Sequence, residues 1–216
     1  MTLSEAGPVV VIGAGDHGRV LLELLRARGD EVIGFVHPSE EGVAPPSVDG
    51  LPVLGDLAHA DWFTAGMRFV VALGDNAARR RAFERSLQIG LQPAVAVHPT
   101  ATLLAGAQVE PGAAVCARAV IGVAAWVGPN ALINTAATLD HDDRIEAHAN
   151  VSPGAHLAGR VTVGEGAYIG IGASIREGTR IGEWAMVAGG AMVIGDVPAR
   201  VRVAGVPARP MVEPER

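Results

Sequence analysis

From Val97 onward, the apolar positions of this chain recur every sixth residue. Val97, Leu103, Val109, Val115, Ile121 and Val127 begin a series that runs through Ile133, Leu139, Ile145 and Val151 to Val193 without a failure. An unbroken aliphatic run of that length in a preset register arises by chance on the order of once in a billion trials. Four residues after most of these aliphatics stands an alanine, as at Ala101, Ala107, Ala113, Ala149 and Ala191. Each unit of six therefore offers one large and one small inward position. Six matches neither the 3.6 period of a helix nor the simple alternation of a long strand, because each unit has to contain a corner. Three units close one triangular coil of about 18 residues, which predicts a parallel β-helix.

Glycines such as Gly106, Gly112, Gly122, Gly128, Gly154, Gly164, Gly170 and Gly182 are expected at the corners, where the backbone needs unusual torsions. Stacked coils satisfy each other's backbone hydrogen bonds, so only the two ends of the stack need covering. The segment GDVPARVRVAGVPARPM breaks the register after Val193 and can cap one end or leave it.

Ahead of the repeat the pattern differs. The apolar runs PVVVIG, EVIGFV and RFVVALG alternate with helical stretches GRVLLELLRARG and NAARRRAFERSLQIG. This alternation predicts a small Rossmann-like α/β domain over residues 1–95, followed by the β-helix over 96–197 and a cap or tail over 198–216. The polar stretch HPSEEGVAPPSVDG reads as a surface loop.

Composition sharpens this picture in three respects. Aromatic residues make up 4% of the 216-residue chain against 49% hydrophobic residues, so the interior must be built from small and branched side chains. The formal net charge of -6 and the lack of a basic stripe argue against a nucleic-acid partner. The lone Cys116 supplies neither a disulfide framework nor a metal-site spacing and reads as a buried small hydrophobe. No signal-like start and no apolar run of membrane-spanning length is visible, so a cytoplasmic protein with no membrane partner is expected.

Two groups of residues carry candidate chemistry. Gly13, Gly15 and Gly18 follow a strand and open a helix, the context in which a G-x-G-x-x-G turn lets phosphate approach helix N–H groups. A tight turn with no ligand is the alternative. A dinucleotide would call for an acid near residue 37, and His37 stands there instead, which favours a nucleotide carried on a sugar. Gly74, Asp75 and Asn76 form a second such turn at the same sheet edge, where Asp75 can also serve as a helix N-cap.

The second group breaks the repeat. Asp143 stands where nearly every other unit has a small residue, and a carboxylate cannot be buried there without a partner. Beside it lies His141, a candidate general base, flanked by Asp140 and Asp142. Asp142 can assist His141 only at a corner, since neighbours on a straight strand point to opposite faces. A solvated acidic turn remains the plainer alternative. His141, His148 and His156 could also be read as metal ligands, but their spacing does not reproduce a three-histidine site, and no metal is expected.

Taken together, the GAGDHG turn, the GDN turn, the NT preceding the His-acid pair, the six-residue repeat and the terminal GVPAR resemble the NeuD/PglD family of sugar O- or N-acyltransferases over essentially the full length. The resemblance implies a left-handed β-helix, a homotrimer, and acetyl transfer from acetyl-CoA to an amino group on a UDP- or GDP-linked 4-amino-4,6-dideoxy sugar. It further implies His141 as base, Asp142 as its supporting acid, and Gly159 as an N–H donor to the thioester oxygen. Asn134 matches a residue near the sugar. Gly15, Asp16, His17, His37, Pro38, Gly74, Asp75 and Asn76 lie on the substrate-facing turns, and Ile171 and Gly189 match positions lining the acetyl-CoA groove. His37 and Pro38 replace an acid that family members often use to hold the base, leaving its identity open. Asn150 stands where the family often has a histidine near the thioester. Sialic acid O-acetylation and a non-catalytic nucleotide-sugar-binding trimer are the competing readings; an NAD-linked oxidoreductase rests on the glycine turn alone and is contradicted by the repeat.

Overall fold

The computed structural model describes residues 7–38 and 45–211. Its N-terminal part is a twisted sheet built from β1 (Val9–Ile12), β2 (Val32–His37), β3 (Ser47–Val48), β4 (Leu51–Asp56), β5 (Arg68–Val71) and β6 (Gln92–Pro93). The strands lie in the order β3-β4-β2-β1-β5-β6, all parallel except the β3–β4 hairpin. Helix α1 (Asp16–Arg28) follows β1 and helix α2 (Asn76–Ile89) follows β5. The central strand β1 is buried at all four positions and reads VVVI, as a strand covered on both faces must. Chain direction across the sheet reverses between β1 and β5, so the turns after these two strands flank a crevice at one edge, where open α/β sheets bind ligands.

The stretch read as a loop turns out differently where it is described. His37 ends β2, and Ser47–Val48 pairs with Leu51–Pro52 around Asp49 and Gly50, both at positive φ (45° and 81°). Asp-Gly is the preferred pair for such a two-residue hairpin turn, a signal hidden inside a polar run. Residues 39–44 of that stretch, and residues 212–216 of the tail, lie outside the described residues.

Beginning with Ala96–Val97, the chain winds as a triangular β-helix with three parallel faces. The first face stacks Ala96–Val97, Ala114–Val115, Leu132–Ile133, Asn150–Val151, Tyr168–Ile169 and Met186–Val187. The second stacks strands from Thr102–Leu103 to Met192–Val193, and the third from Gln108–Val109 to Arg180–Ile181. The aliphatic and alanine positions point inward and form one buried column. At the far end Arg202–Ala204 extends the first face and Arg209–Pro210 pairs antiparallel to it, closing the stack.

The corner glycines divide into two classes, which corrects a single explanation for all of them. Every sixth residue from Gly106 to Gly190 has positive φ, whether glycine or, as at Asn130, Asp142, His148 and Arg160, another residue. Gly122, Gly128, Gly164, Gly170 and Gly182 fall two positions earlier and are not among these. There an added Cβ would meet the neighbouring coil, as at Gly182, 2.3 Å from the Ala199 nitrogen. Close coil stacking, not torsion, requires glycine at these sites.

The two parts dock through α1 and α2. Leu21, Leu24 and Leu25 share a core with Ala96, Ala114, Cys116 and Leu132 on the first face. The Arg79 guanidinium, 1% exposed, donates to the carbonyls of Asn130 (3.3 Å), His148 (2.6 Å), Ala149 (3.2 Å) and Leu73 (3.2 Å) and to Asn76 Oδ1 (2.7 Å). Burial lowers its pKa to about 10, so it stays charged at neutral pH while holding the domains together. No helix among the described residues is long and apolar enough to cross a membrane.

Candidate active site

His141 sits at the corner between the second and third faces. Asp142 occupies the left-handed position of that corner at φ 59°, which swings its carboxylate to the same side as the preceding side chain. Its Oδ2 lies 2.9 Å from His141 Nδ1. An ionised carboxylate can only accept, so Nδ1 carries the hydrogen and Nε2 keeps its lone pair. The Asp140 carboxylate accepts from the His141 N–H at 2.7 Å, which fixes the start of the turn. The imidazole side chain is 42% exposed and open to a ligand.

Beneath the ring, one coil on, lies Gly159. A Cβ built there would be 2.4 Å from His141 Nε2, so only glycine leaves room for the ring in this position. Among the described residues the Gly159 N–H meets no acceptor, while the next N–H, of Arg160, is bound to the His141 carbonyl at 2.9 Å. A basic nitrogen and an unused backbone donor are thus side by side, the pairing needed to take a proton while polarising a carbonyl. Asp143 is 1% exposed and accepts from the Asp140 N–H (2.9 Å) and the Val161 N–H (2.8 Å). Burial raises its pKa to about 7, against the lowering effect of those two N–H groups.

At the sheet edge, the three glycines of the first turn have different duties. Gly13 has φ 114°, and a Cβ on Gly18 would lie 2.2 Å from the Gly13 carbonyl, so both are needed for the strand-to-helix packing alone. Gly15, the N-cap of α1, faces open space and makes no side-chain cap, which leaves the helix N-terminus available to an anion. Asp16 is exposed beside it. His17 is half-buried, its Nε2 is buried without a partner, and burial, then the charge of Arg79, lowers its pKa to about 4. His37 ends β2 opposite Asp56, with half-buried Pro38 after it. Gly74 and Asp75 are exposed, and the Asp75 carboxylate caps α2 by accepting from the Ala78 N–H at 2.7 Å.

A cavity of about 680 Å³ opens between α1 and the corner joining the first and second faces. Asp16, Arg19 and Glu23 line one side, with Asp49 nearby and His98, Ala117 and Thr135 opposite. Asn134 stands next to Thr135, its Oδ1 accepting the Thr135 N–H at 2.8 Å. The same corner column carries exposed Ile171 and, one coil on, Gly189, whose Cβ would lie 3.0 Å from the Ile171 side chain.

The structure does not gather every candidate. His141, Asp142 and Gly159 share one corner, whereas Asn134, Ile171 and Gly189 share the corner across the second face. Asn150 projects from the first face, 5% exposed, with its Oδ1 buried and unpartnered, away from the chain's own His141. Asn76 is a correction: its Nδ2 donates to the Gly166 and Ala167 carbonyls at 3.0 and 3.1 Å and its Oδ1 accepts from Arg79, so the side chain is committed to the domain interface. Arg19, Asp49 and His98 were not foreseen in the cavity wall, because no local pattern marks them. Among the described residues no group of three His, Cys, Asp or Glu side chains forms a metal cluster.

Comparison with known proteins agrees with this layout. Residues 8–86 match the PglD N-terminal domain model and residues 160–195 match the bacterial transferase hexapeptide model of six repeats. No curated protein sequence matches the chain. Among solved structures, the acetyltransferase domain of PglB from Neisseria gonorrhoeae in complex with acetyl coenzyme A is 36% identical with a TM-score of 0.87, covering 94% of this chain and 98% of that one. PerB from Caulobacter crescentus, in complex with CoA and GDP-perosamine, is 37% identical with a TM-score of 0.87, covering 97% and 99%. WeeI from Acinetobacter baumannii, at 24% identity and a TM-score of 0.85, covers 95% and 100% and shares the fold. With a PglD-type α/β domain leading into a left-handed β-helix, this chain belongs to the NeuD/PglD family of sugar acyltransferases.

Proposed function

We propose that the protein transfers an acetyl group from acetyl-CoA to the amino group of a UDP- or GDP-linked 4-amino-4,6-dideoxy sugar. The single observation that carries this reading is the corner at His141, where an imidazole with a free Nε2, tied to Asp142 at 2.9 Å, rests on Gly159. In this reading Nε2 accepts the proton from the sugar amine as its nitrogen bonds to the thioester carbonyl carbon. The Gly159 N–H donates to the carbonyl oxygen, where negative charge gathers. The carbon–sulfur bond then breaks, and His141 can return its proton to the departing thiolate. Asp142 keeps the ring in the tautomer that does this and stabilises the imidazolium formed on the way.

The nucleotide sugar is assigned to the sheet edge and the adjoining cavity. Its diphosphate suits the open N-terminus of α1 at Gly15, and Asp16 and Glu23, beside the Arg19–Asp49 ion pair (3.0 Å), offer acceptors to the amine and hydroxyl donors of a sugar. His17, His37, Pro38, Gly74 and Asp75 border that edge, and Asn134 overlooks it from the β-helix. A homotrimer completes the site: His141 and the cavity flank opposite edges of the second face, and exposed Val123 on one edge and Ile171 on the other offer apolar contact to a neighbouring copy. Acetyl-CoA would then run along the seam past Ile171 and Gly189, with Asn150 contributed from the neighbouring face.

The test is a thiol-release assay with acetyl-CoA against UDP-, GDP- and CMP-sugars bearing amine or hydroxyl acceptors. Release with an amine acceptor is expected, and His141→Ala should lower it by about two to four powers of ten. No release with any amine, or full turnover by a folded His141→Ala protein, rejects the assignment.

A further inference from the structure

Elsewhere in the repeat two backbone bonds recur at the corners, whatever side-chain contacts are added to them. The residue four past each aliphatic donates its N–H to the carbonyl three residues back, as Ala137 does to Asn134 (3.1 Å), Ala149 to Glu146 (3.3 Å) and Ala155 to Ser152 (3.2 Å). The residue one past the aliphatic donates to the next coil, as Gly122 does to Leu139 (3.0 Å) and Asn134 to Val151 (2.8 Å). At the His141 corner both rules lapse. Neither Asp143 nor Val161 makes the turn bond, and the Asp140 N–H does not reach the Leu157 carbonyl. Correspondingly, Thr138 pairs with His156 but Leu139 has no pair in Leu157, although the coils before and after pair at both positions.

A side chain has taken over these contacts. Asp143 Oδ2 accepts the Asp140 N–H at 2.9 Å and Oδ1 accepts the Val161 N–H at 2.8 Å. The first bond lies immediately before His141, and the second lies two residues beyond Gly159. One carboxylate thus spans the turn that carries the imidazole and the turn on which that ring rests.

We propose that Asp143 is a positioning residue of the acetyl-transfer site, setting the height of His141 over Gly159 by replacing the backbone bonds that every ordinary corner uses. The proposal rests on the acetyltransferase reading of His141. Packing gives no reason for an acid here: the other corners fill this position with alanine, or, one and two coils along the same column, with Val161 and Thr179. A buried carboxylate with only two N–H partners is a costly choice for stability, and such choices are expected where chemistry requires them. The charged groups that face it are Asp140 and His141 of its own turn; from the adjacent coil it receives the Val161 N–H. When ionised it also favours the imidazolium that forms as His141 takes a proton. Its pKa of about 7 places that charge within the working range, so the site should gain competence as Asp143 ionises.

Asp143→Ala installs the residue that the fold prefers and separates the roles. The full-length variant should fold with a melting temperature equal to or above that of the parent at pH 8. Its crystal structure should show the Asp140 N–H returned to the Leu157 carbonyl and the imidazole moved off Gly159. Its kcat should fall by about tenfold or more while KM for acetyl-CoA changes by less than about threefold, as for a misplaced reacting group. Asp143→Asn, whose amide oxygen replaces one of the two acceptors, should recover part of the rate and lose the limb near pH 7 from the kcat/KM profile. A kcat within about threefold of the parent in Asp143→Ala overturns the proposal, as does an unmoved imidazole. Failure of both variants to fold overturns it equally, since the carboxylate would then serve the fold. A parent protein that acetylates no acceptor refutes the acetyltransferase reading instead, and the crystallographic result still decides whether Asp143 sets the ring.

Discussion

Replacing Gly159 by alanine adds one methyl group at the most sensitive point of the site. The added carbon would lie 2.4 Å from His141 Nε2 and 2.6 Å from Cε1, while ordinary contact begins near 3.4 Å. The ring must therefore withdraw by about 1 Å, and its exposed side chain gives it a direction in which to go. Gly159 does not have positive φ, so the backbone accepts alanine without strain. The expected result is a folded protein whose stability changes by less than about 1 kcal/mol. A misplacement of ~1 Å in a reacting group costs about 10²-fold in rate, or roughly 2.7 kcal/mol of barrier. Thiol-release kinetics with the parent's best acceptor, alongside thermal melting, measures both quantities. Gly178→Ala is the control. That residue has φ 69° with open space around it, so alanine there should cost about 1 kcal/mol of stability through strain and leave turnover unchanged. If Gly159→Ala retains parental kcat/KM, the ring does not work from the position seen here and the reasoning fails.

Two further outcomes follow from the same geometry. Asp143 holds its proton up to about pH 7 when folded but would release it near 3.8 when unfolded, so folding stability should decline as pH rises through that window, by ~4 kcal/mol at most. Thermal melts at pH 4 and pH 8 should then show the advantage of Asp143→Ala over the parent widening with pH, and a constant gap would contradict the assignment. Asn76→Ala removes an amide bound to two carbonyls of the β-helix and to Arg79, all buried, and should destabilise the protein by about 1 to 3 kcal/mol; denaturant melts that match the parent would show the clamp to be dispensable.

The β-helix was legible because its contacts are those of a one-dimensional stack. Each coil touches residues 18 before and after, as Leu132 pairs with Ala114 and Asn150, so a period in the sequence is also a map in space. The corner carrying His141 was visible for the same reason, since Asp143 interrupts an otherwise uniform column. Contacts between the two domains had no such periodicity. Nothing local in NAARRRAFERS distinguishes Arg79, buried among four carbonyls, from Arg80, which lies half-buried beside Glu84 and Glu165. The β3–β4 hairpin escaped because β3 is only two residues long and its proline-rich surroundings resemble a loop. The place of Asn76 after a glycine turn predicts a residue facing ligand, but the docking of α2 turns its side chain toward the β-helix.

The coil length has a consequence for how such a chain can change. Inserting or deleting one unit of six keeps the inward and outward pattern intact, yet it turns everything downstream by a third of a circle. His141 would be carried to a different face and lose its neighbours at the seam. Adding or removing three units preserves every bearing and only shifts the downstream part by one storey, ~4.8 Å. Length variation within the β-helix should thus leave the solenoid folded in steps of eighteen residues and in no smaller step, a rule that length variants built on either side of Ala119 can test by thermal melting, while turnover is lost because His141 moves a storey away from the docked α/β domain.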